Sequence, residues 1–422
     1  MRKLLVIGRG AREHALAHKA LLSGKLEVYV APGNGGMQPP IQRVLIQENQ
    51  IRELREFIRQ HRIEYVIVGP EVPLARGMYD DLHDLATVIG PSQRLTFLEA
   101  SKARAKAFLR EAGIPTAEAV IFDATQVDAA EAHLRKVSYP VVVKASGLAG
   151  GKGVLVAQTP EEAIAFAKGC LSGEKFGSAG STILIEQFLQ GEERSIFLLA
   201  DGKGYTILPS ARDYKRLSEG DQGPNTGGMG GYAPADTPEW IDQVRRKVID
   251  PTLERLQQMG IPYHGFLYLG LMKVGDEPYV LEYNVRLGDP EAQIILPLID
   301  NTLDEILFYY KIQRLSELKV RMHATSAVAV VAATPGYPDA STSGHFIPMP
   351  ALSEGGCRLQ GDSYIYWAGV EVSEEGQVFT LGGRVYTAVG LGKDRAEARS
   401  RAYAALEQVN FPEKVFRRDI AA

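Results

Sequence analysis

Lys144-Ala-Ser-Gly-Leu-Ala-Gly-Gly-Lys-Gly-Val154 puts four glycines and two lysines into eleven residues. Glycine lets backbone N–H groups come close to an anion, and lysine adds charge. A triphosphate needs both. Apolar runs flank the stretch, Tyr139-Pro-Val-Val-Val before it and Leu155-Val-Ala after it, so it reads as a loop joining two strands. A mobile hairpin with solvated lysines has the same composition, because Gly-rich turns are common between strands. Spacing excludes two familiar phosphate loops. A P-loop asks for Gly-Lys-Ser/Thr, and here Gly153 follows Lys152. A dinucleotide fingerprint asks for a third glycine, and Gly8-Arg-Gly10-Ala-Arg12-Glu13 has Glu in its place.

Other stretches carry compatible chemistry. Pro278-Tyr-Val-Leu-Glu282-Tyr-Asn284-Val-Arg286 reads as a strand. Residues two apart face one side of a strand, so Glu282, Asn284 and Arg286 share a face and Leu281, Tyr283 and Val285 take the other. A carboxylate beside an amide oxygen is hard-oxygen ligation, suited to Mg²⁺ carrying nucleotide phosphates, though a polar solvent face reads the same way. Gly223-Pro-Asn225-Thr226-Gly-Gly-Met-Gly-Gly-Tyr232 has five glycines in ten residues. With Asp213, Lys215 and Arg216 nearby, it reads as a structured loop over a ligand. Glu186-Gln-Phe-Leu189-Gln-Gly-Glu192-Glu193 leaves a strand; its backbone suits a planar base and a following acid suits ribose hydroxyls, as against a plain charged turn.

The elements that must position these residues run in order. Residues 1–100 alternate apolar strands with helices, one helix from about Glu13 to Leu22 and another holding Ile51, Leu54 and Ile58. That pattern implies a parallel sheet covered on both faces. Ligands sit at the carboxyl ends of such strands, where three loops emerge: Gly8–Glu13, Pro32–Gly36 and Gly69-Pro70-Glu71. Bare N–H groups and Arg12 suit a phosphate, and the carboxylates of Glu13 and Glu71 suit hydroxyls or an amine. Ser101 caps a helix over Lys102–Ala112, with Lys102 in its first turn. Residues 117–190 form a compact α/β unit around the glycine loop, readable as a movable flap. A helix over Trp240–Met259 and a strand over Gly265–Met272 precede the Glu282 strand. From Thr325 onward the pattern is β-rich and ends in a helix over Ala396–Val409, a separate small α+β domain without a catalytic constellation.

Composition sets the outer bounds. A length of 422 residues, 45% apolar and 23% charged, is an ordinary globular balance for two to four domains. Net charge is −4, with no long run of one sign, which argues against nucleic acid as a main partner. Cys170 and Cys357 match no ligand spacing and suggest a reducing compartment. The N-terminal apolar run is too short for a signal peptide, and no apolar run approaches the roughly 20 residues of a membrane span. A soluble cytoplasmic protein without a membrane partner is expected.

The whole chain resembles the phosphoribosylamine–glycine ligase (glycinamide ribonucleotide synthetase) family of the ATP-grasp superfamily. The resemblance rests on Gly10-Ala-Arg-Glu-His-Ala-Leu, Val30-Ala-Pro-Gly-Asn, Val68-Gly-Pro-Glu, Lys144–Val154, Gly223-Pro-Asn-Thr-Gly-Gly-Met-Gly and Asn284-Val-Arg-Leu-Gly-Asp-Pro-Glu. It implies an α/β multidomain fold: an N-terminal parallel-sheet domain (1–100), an ATP-grasp body (101–322) with a mobile flap, and a small C-terminal α+β domain (323–422). It implies that ATP phosphorylates glycine and that the amine of 5-phosphoribosylamine attacks the acyl phosphate, giving an amide, ADP and phosphate. Carried over, Lys102, Lys144, Gly147, Gly150, Gly151, Lys152 and Gly153 hold ATP phosphates, and Glu186, Leu189 and Glu193 hold adenosine. Glu282 and Asn284 bind Mg²⁺ or Mn²⁺. Asp213, Lys215 and Arg286 are catalytic. Asn225, Thr226, Gly288 and Asp289 line the substrate site, and Gly8, Gly10, Arg12, Glu13, Gly69, Pro70 and Glu71 take the phosphorylated sugar. A monomer or weak homodimer is expected.

The chain departs from the family pattern at Arg9, Ala11, Ser146, Gln187, Tyr214, Tyr283 and Leu287. None of these removes a metal ligand or phosphate lysine. Two other readings are another ATP-grasp ligase or carboxylase, and a nucleotide-binding regulator without turnover.

Overall fold

The computed structural model describes residues 1–322 and 326–422. Position 323, where the C-terminal unit was expected to begin, and Thr325 lie outside the described residues. The N-terminal strands Arg2–Gly8, Leu26–Pro32, Gln42–Arg43, Tyr65–Val68 and Thr87–Ile89 form a parallel sheet. Arg2–Gly8 is at its centre, between Leu26–Pro32 and Tyr65–Val68. Leu4 and Val6 pack into one core with Ala15 and Leu16 of helix Ala11–Leu21. Leu5 and Ile7 pack into another with Leu54 and Ile58 of helix Ile51–His61. A strand covered on both faces has no polar side to offer, hence its unbroken apolar run. Helix Ala11–Leu21 starts two residues earlier than expected and is buried from Ala11 to Ala20. Its far side packs on helix Glu291–Leu298 and strand Ser363–Trp367.

The flap is an antiparallel sheet ordered Ala119–Asp123, Thr182–Gln187, Val141–Ala145, Val154–Ala157. Helices Val127–Leu134 and Pro160–Leu171 close its own core around Phe122, Leu134, Val143 and Ile183. Lys144 pairs with Val154 across the glycine loop, which fixes the hairpin. Helix Lys102–Glu111 leads into it, with Ser101 Oγ accepting from Arg104 N.

The body sheet is antiparallel, ordered Tyr205–Ile207, Glu192–Asp201, His264–Val274, Glu277–Asn284. Two expectations are corrected here. The helix expected at Trp240–Met259 is Pro238–Val244, a π turn at Arg245–Ile249, then Asp250–Gln258. Pro251 lacks the N–H that a regular ladder needs, and the looser turn precedes it. The strand expected to reach Arg286 ends at Asn284 and carries a bulge, with Gly270 opposite Glu282 but Leu271 opposite Val280. The extra residue is Leu281. Tyr283 and Val285 are in the core as expected, whereas Leu281 lines the central basin.

The C-terminal region carries a small sheet of its own, Phe346–Ile347, Val378–Thr380 and Val370–Val372, but its longer strands are shared. Its strands Ser326–Ala333, Arg384–Gly392 and Ser363–Trp367 continue a five-stranded sheet begun by Arg212–Asp213 and Gly230–Ala233. Helix Arg395–Glu407 covers it, with Ala398 and Ala402 against Gly392 and Gly390. Asp213 and the glycine-rich loop are therefore bonded into the same sheet as the C-terminal strands, beside the basin.

Candidate functional site

A basin of about 860 Å³ lies where the flap, the body, the N-terminal domain and the C-terminal sheet meet. Arg12, Pro70 and Glu71 reach it from the N-terminal loops, Lys102 from the helix before the flap, and Lys144, Gly150, Gly151, Gly153 and Glu186 from the flap. Leu189 and Glu193 line it from the connecting segment, and Asp213, Lys215, Asn225, Thr226, Glu282, Asn284, Arg286, Gly288 and Asp289 from the body.

Six expected residues are not brought to it, each for a local reason. Glu13 folds back under its own turn: its Oε2 accepts from Gly10 N at 2.6 Å, and its Oε1 lies 2.6 Å from Arg12 Nε. Gly8 and Gly69 press against the same carboxylate, leaving no space for a Cβ. These residues hold Arg12 in place, and the Gly10 N–H is occupied. Gly147 donates to Ala179 O at 2.9 Å. Lys152 Nζ donates to Pro338 O at 2.7 Å, away from the other lysines. The loop Pro32–Gly36 docks on the C-terminal sheet instead, with Asn34 Nδ2 donating to Trp367 O at 2.8 Å and Gly36 lying against the Trp367 ring.

Charges alternate around the basin. Glu186, 2% exposed, lies between two ammonium groups, Lys144 at 2.8 Å and Lys106 at 3.0 Å. Burial raises its pKa, but Lys144 and Lys106 more than offset this and keep it below the usual carboxylate range. Lys144 also donates to Leu281 O at 3.1 Å, through the carbonyl that the bulge turns out of the ladder. Lys102 donates to Gly147 O at 3.2 Å, and burial pushes its pKa down. Gly150 and Gly151 have φ of +56° and +77°, a region that favours glycine. Their N–H groups bond to no described residue. Asn225 Nδ2 reaches Val154 O at 3.4 Å, so the two glycine loops touch across the cleft.

Deeper in, Arg286 is clamped by Glu99 at 2.8 Å and Glu71 at 3.3 Å, and it reaches Asn284 Oδ1 at 3.3 Å. Burial opposes its charge, but Glu99 and Glu71 raise its pKa. Burial also pushes the Glu282 carboxyl up, yet Lys215, Lys102 and Lys144 prevail and bring it to about 2. Asp213 behaves in the opposite way. Burial and then Glu291 raise its pKa well above the carboxylate range, and its Oδ1 has no hydrogen-bond partner. Burial lowers the Lys215 pKa, and Glu193, Tyr268, Glu282 and Asp213 together raise it well above its ordinary value.

The donor set fits a hard divalent cation. Glu282 stays ionised and Asn284 adds an amide oxygen two residues on. Among the described residues, no group of three or more His, Cys, Asp or Glu could complete a cage. Such an incomplete shell suits a cation shared with phosphate oxygens and water.

Sequence reasoning missed Glu99, Lys106, Glu291 and Arg384. Lys106 lies four residues after Lys102 on one helix, so helical spacing carried a signal for it. Glu291 closes the quoted motif Asn284–Glu291, which was the signal for it, whereas Glu99 and Arg384 had none, because their partners are remote in sequence.

Three family models match the chain in sequence: phosphoribosylglycinamide synthetase N domain over residues 2–99, ATP-grasp (A) domain over 100–292 and C domain over 327–422. A phosphoribosylamine–glycine ligase of Allochromatium vinosum is 42% identical, over 99% of this chain and 97% of its own. One from Synechocystis sp. is 43% identical, over 99% of both chains. Among solved structures, a phosphoribosylamine–glycine ligase from Thermotoga maritima superposes with a TM-score of 0.84 at 35% identity, covering 99% of this chain and all (100%) of that one. The biotin carboxylase domain of a Hydrogenobacter thermophilus 2-oxoglutarate carboxylase, in complex with MgADP, shares the fold at 15% identity and a TM-score of 0.69, covering 98% of this chain and 91% of that one.

Proposed function

The chain belongs to the phosphoribosylglycinamide synthetase family, and from that premise we propose that its central basin is where ATP, glycine and 5-phosphoribosylamine meet. The protein is an ATP-dependent ligase that joins glycine to phosphoribosylamine, giving glycinamide ribonucleotide in purine biosynthesis.

ATP lies under the flap. The ammonium groups of Lys102 and Lys144 and the open N–H groups of Gly150 and Gly151 receive its phosphates. The adenosine end lies along residues 187–193, with Leu189 against the base and Glu193 at the ribose. Glu186 acts from behind, holding Lys144 and Lys106. Glu282 and Asn284 would hold a divalent cation, Mg²⁺ or Mn²⁺, which would supply charge neutralisation to the phosphates. Phosphoryl transfer asks mainly for positioning and charge neutralisation, and the basin is rich in both.

Glycine presents its carboxylate to the γ-phosphate near Arg286; the new O–P bond forms as the bond to the β–γ bridging oxygen breaks, leaving ADP and a glycyl phosphate. The phosphoribosylamine nitrogen then attacks the acyl carbon. The C–N bond forms, the C–O bond to phosphate breaks, and the nitrogen gives up a proton. Asp213 is the group for that proton: its Oδ1 is unpartnered, and burial with Glu291 nearby raises its affinity for a proton above that of an ordinary carboxylate. Lys215 counters charge on the departing phosphate. Arg12, steadied by Glu13, receives the sugar phosphate, with Glu71 and Pro70 beside it. Asn225, Thr226, Gly288 and Asp289 shape the acceptor side.

One observation carries this reading: Lys102 and Lys144, the Glu282–Asn284 pair, and the Asp213–Arg286 side line a single basin under the glycine loop. The test is ADP release with ATP and Mg²⁺, supplying glycine and phosphoribosylamine made in situ from ribose 5-phosphate and ammonia, then omitting each. Release that needs both is expected. Release with another carboxylate alone counts against the substrate assignment.

We further propose a cytoplasmic monomer or weak homodimer, checked by sedimentation over a concentration series. No helix among the described residues is long and apolar enough to cross a membrane.

A further inference from the structure

Arg384 belongs to the C-terminal strand Arg384–Gly392, far in sequence from every other basin residue. Its Nη1 donates to Gly227 O at 2.7 Å and to Asp289 O at 2.8 Å, and reaches Gly228 O at 3.4 Å. Its Nη2 lies 3.5 Å from Asp289 Oδ1. One guanidinium thus ties two backbone turns together, Gly227-Gly228 and Gly288-Asp289. Nη1 makes all three carbonyl contacts while Nη2 faces the Asp289 carboxylate, and a lysine, whose nitrogen ends where the guanidinium carbon lies, is too short to bridge both turns. The Gly227 peptide is also gripped from its other side, its N–H donating to the Tyr337 hydroxyl at 3.0 Å.

What these turns enclose gives the contact its consequence. Gly228 has φ +111°, and a Cβ there would lie 2.5 Å from Pro290 Cδ and 2.7 Å from Asp213 Oδ1. The Gly227-Gly228 turn is therefore wedged between the unpartnered Asp213 carboxylate and the Asp289-Pro290 turn. If the turn shifts, both sides of the acceptor pocket shift with it. The polar partners of Lys102 and Lys144 are Gly147, Leu281 and Glu186, which belong to neither turn.

We propose that Arg384, with Tyr337, is a positioning residue for the amine and amino-acid substrates, fixing Asp213 and Asp289 relative to each other without touching ATP. The C-terminal sheet thereby forms part of the catalytic centre. This rests on the ligase reading above.

The test uses the full chain and three variants, Arg384→Gln, Arg384→Lys and Tyr337→Phe. Steady-state kinetics are run for each substrate, with the dissociation constant of a non-hydrolysable ATP analogue beside them. Arg384→Gln is expected to lower kcat/KM for glycine and phosphoribosylamine by about 100-fold, the scale of a misplacement near 1 Å, while analogue affinity stays within about threefold. Arg384→Lys keeps the charge but not the fork, and is expected to stay within about tenfold of the Gln variant. The inference is overturned by near wild-type kcat/KM in Arg384→Gln, by a parallel loss of analogue affinity, or by full recovery in Arg384→Lys. If neither Arg384 variant melts as a folded protein, Tyr337→Phe decides. It removes one hydroxyl, and a several-fold rise in glycine KM at constant analogue affinity is expected; no rise overturns the inference. A wild-type protein without turnover overturns the ligase reading and this inference with it, whereas normal wild-type turnover with unaffected variants overturns only the inference.

Discussion

Glu186 and Lys144 stand on neighbouring strands of the flap and meet at 2.8 Å, with the carboxylate almost wholly withdrawn from solvent. The second oxygen of Glu186 is taken by Lys106 at 3.0 Å. Both oxygens of the carboxylate are thereby engaged. It holds two cations that would otherwise repel each other, and so keeps Lys144 at the wall of the basin, where the proposed phosphates would lie.

Glu186→Gln tests that role. Removing one charge from a buried ionic group leaves its partners uncompensated, at a cost of about 3–5 kcal/mol. The expected outcome is a loss of that size in denaturant unfolding, together with a rise of tenfold or more in KM for ATP. Unchanged values in both measurements would remove the positioning role.

The two lysines of the glycine loop should behave differently. Lys144 is turned into the basin, whereas Lys152 donates to Pro338 O. Lys144→Ala is expected to raise KM for ATP more than tenfold, and Lys152→Ala less than threefold. Amide exchange over residues 147–153 should slow when ATP is added, because Gly150 and Gly151 then gain acceptors for their N–H groups. Equal effects of the two substitutions would mean that Lys152 leaves Pro338 during turnover.

Glu282 is the charged half of the proposed cation pair, and nearby cations bring its pKa to about 2. It is therefore ionised throughout the neutral range, and the cation requirement should be flat from about pH 6 to 8. Glu282→Ala is expected to lower ADP release by about 10³-fold, the upper scale for deleting one electrostatic contact to developing charge, with the circular dichroism spectrum unchanged. A chelator should abolish wild-type turnover, and excess Mg²⁺ should restore it. Near wild-type turnover by the variant would send the cation elsewhere.

Much of this site was legible in the sequence, for reasons particular residues make clear. The Leu4–Ile7 and Val141–Val143 runs are local signals, so the N-terminal sheet and the flap hairpin follow from them directly. Glu282 and Asn284 share a strand, and period-two spacing sufficed. The alternation argument failed one residue earlier, at Leu281, because a bulge leaves no mark in a single sequence. Glu13 was read as facing a ligand, although a Glu three residues after a helix N-cap often turns back to the N-cap N–H, as it does here. Arg384 was out of reach, since its partners Gly227 and Asp289 lie 157 and 95 positions away. Only the folded chain brings them together.

His14 gives a prediction about stability. It is fully buried between the first helix and the C-terminal strands. Its Nδ1 accepts from Trp367 N at 3.1 Å, which leaves Nε2 to donate to Gly355 O at 3.1 Å. Both nitrogens are matched only while the ring is neutral. Burial pushes its pKa down from 6.5 to about 3. The unfolded chain therefore binds a proton that the folded chain refuses between those values. The stabilising contribution is complete above about pH 6.5 and falls by about 1.4 kcal/mol per pH unit as pH drops towards 3. His14→Gln keeps an acceptor and a donor but cannot titrate. Thermal unfolding midpoints followed from pH 7 to pH 5 should fall more steeply for the wild type than for His14→Gln, with a gap in slope worth about 2 kcal/mol by pH 5. Every other titrating group is common to both proteins, so parallel slopes would show that His14 does not govern acid opening of the seam between the N-terminal helix and the C-terminal sheet.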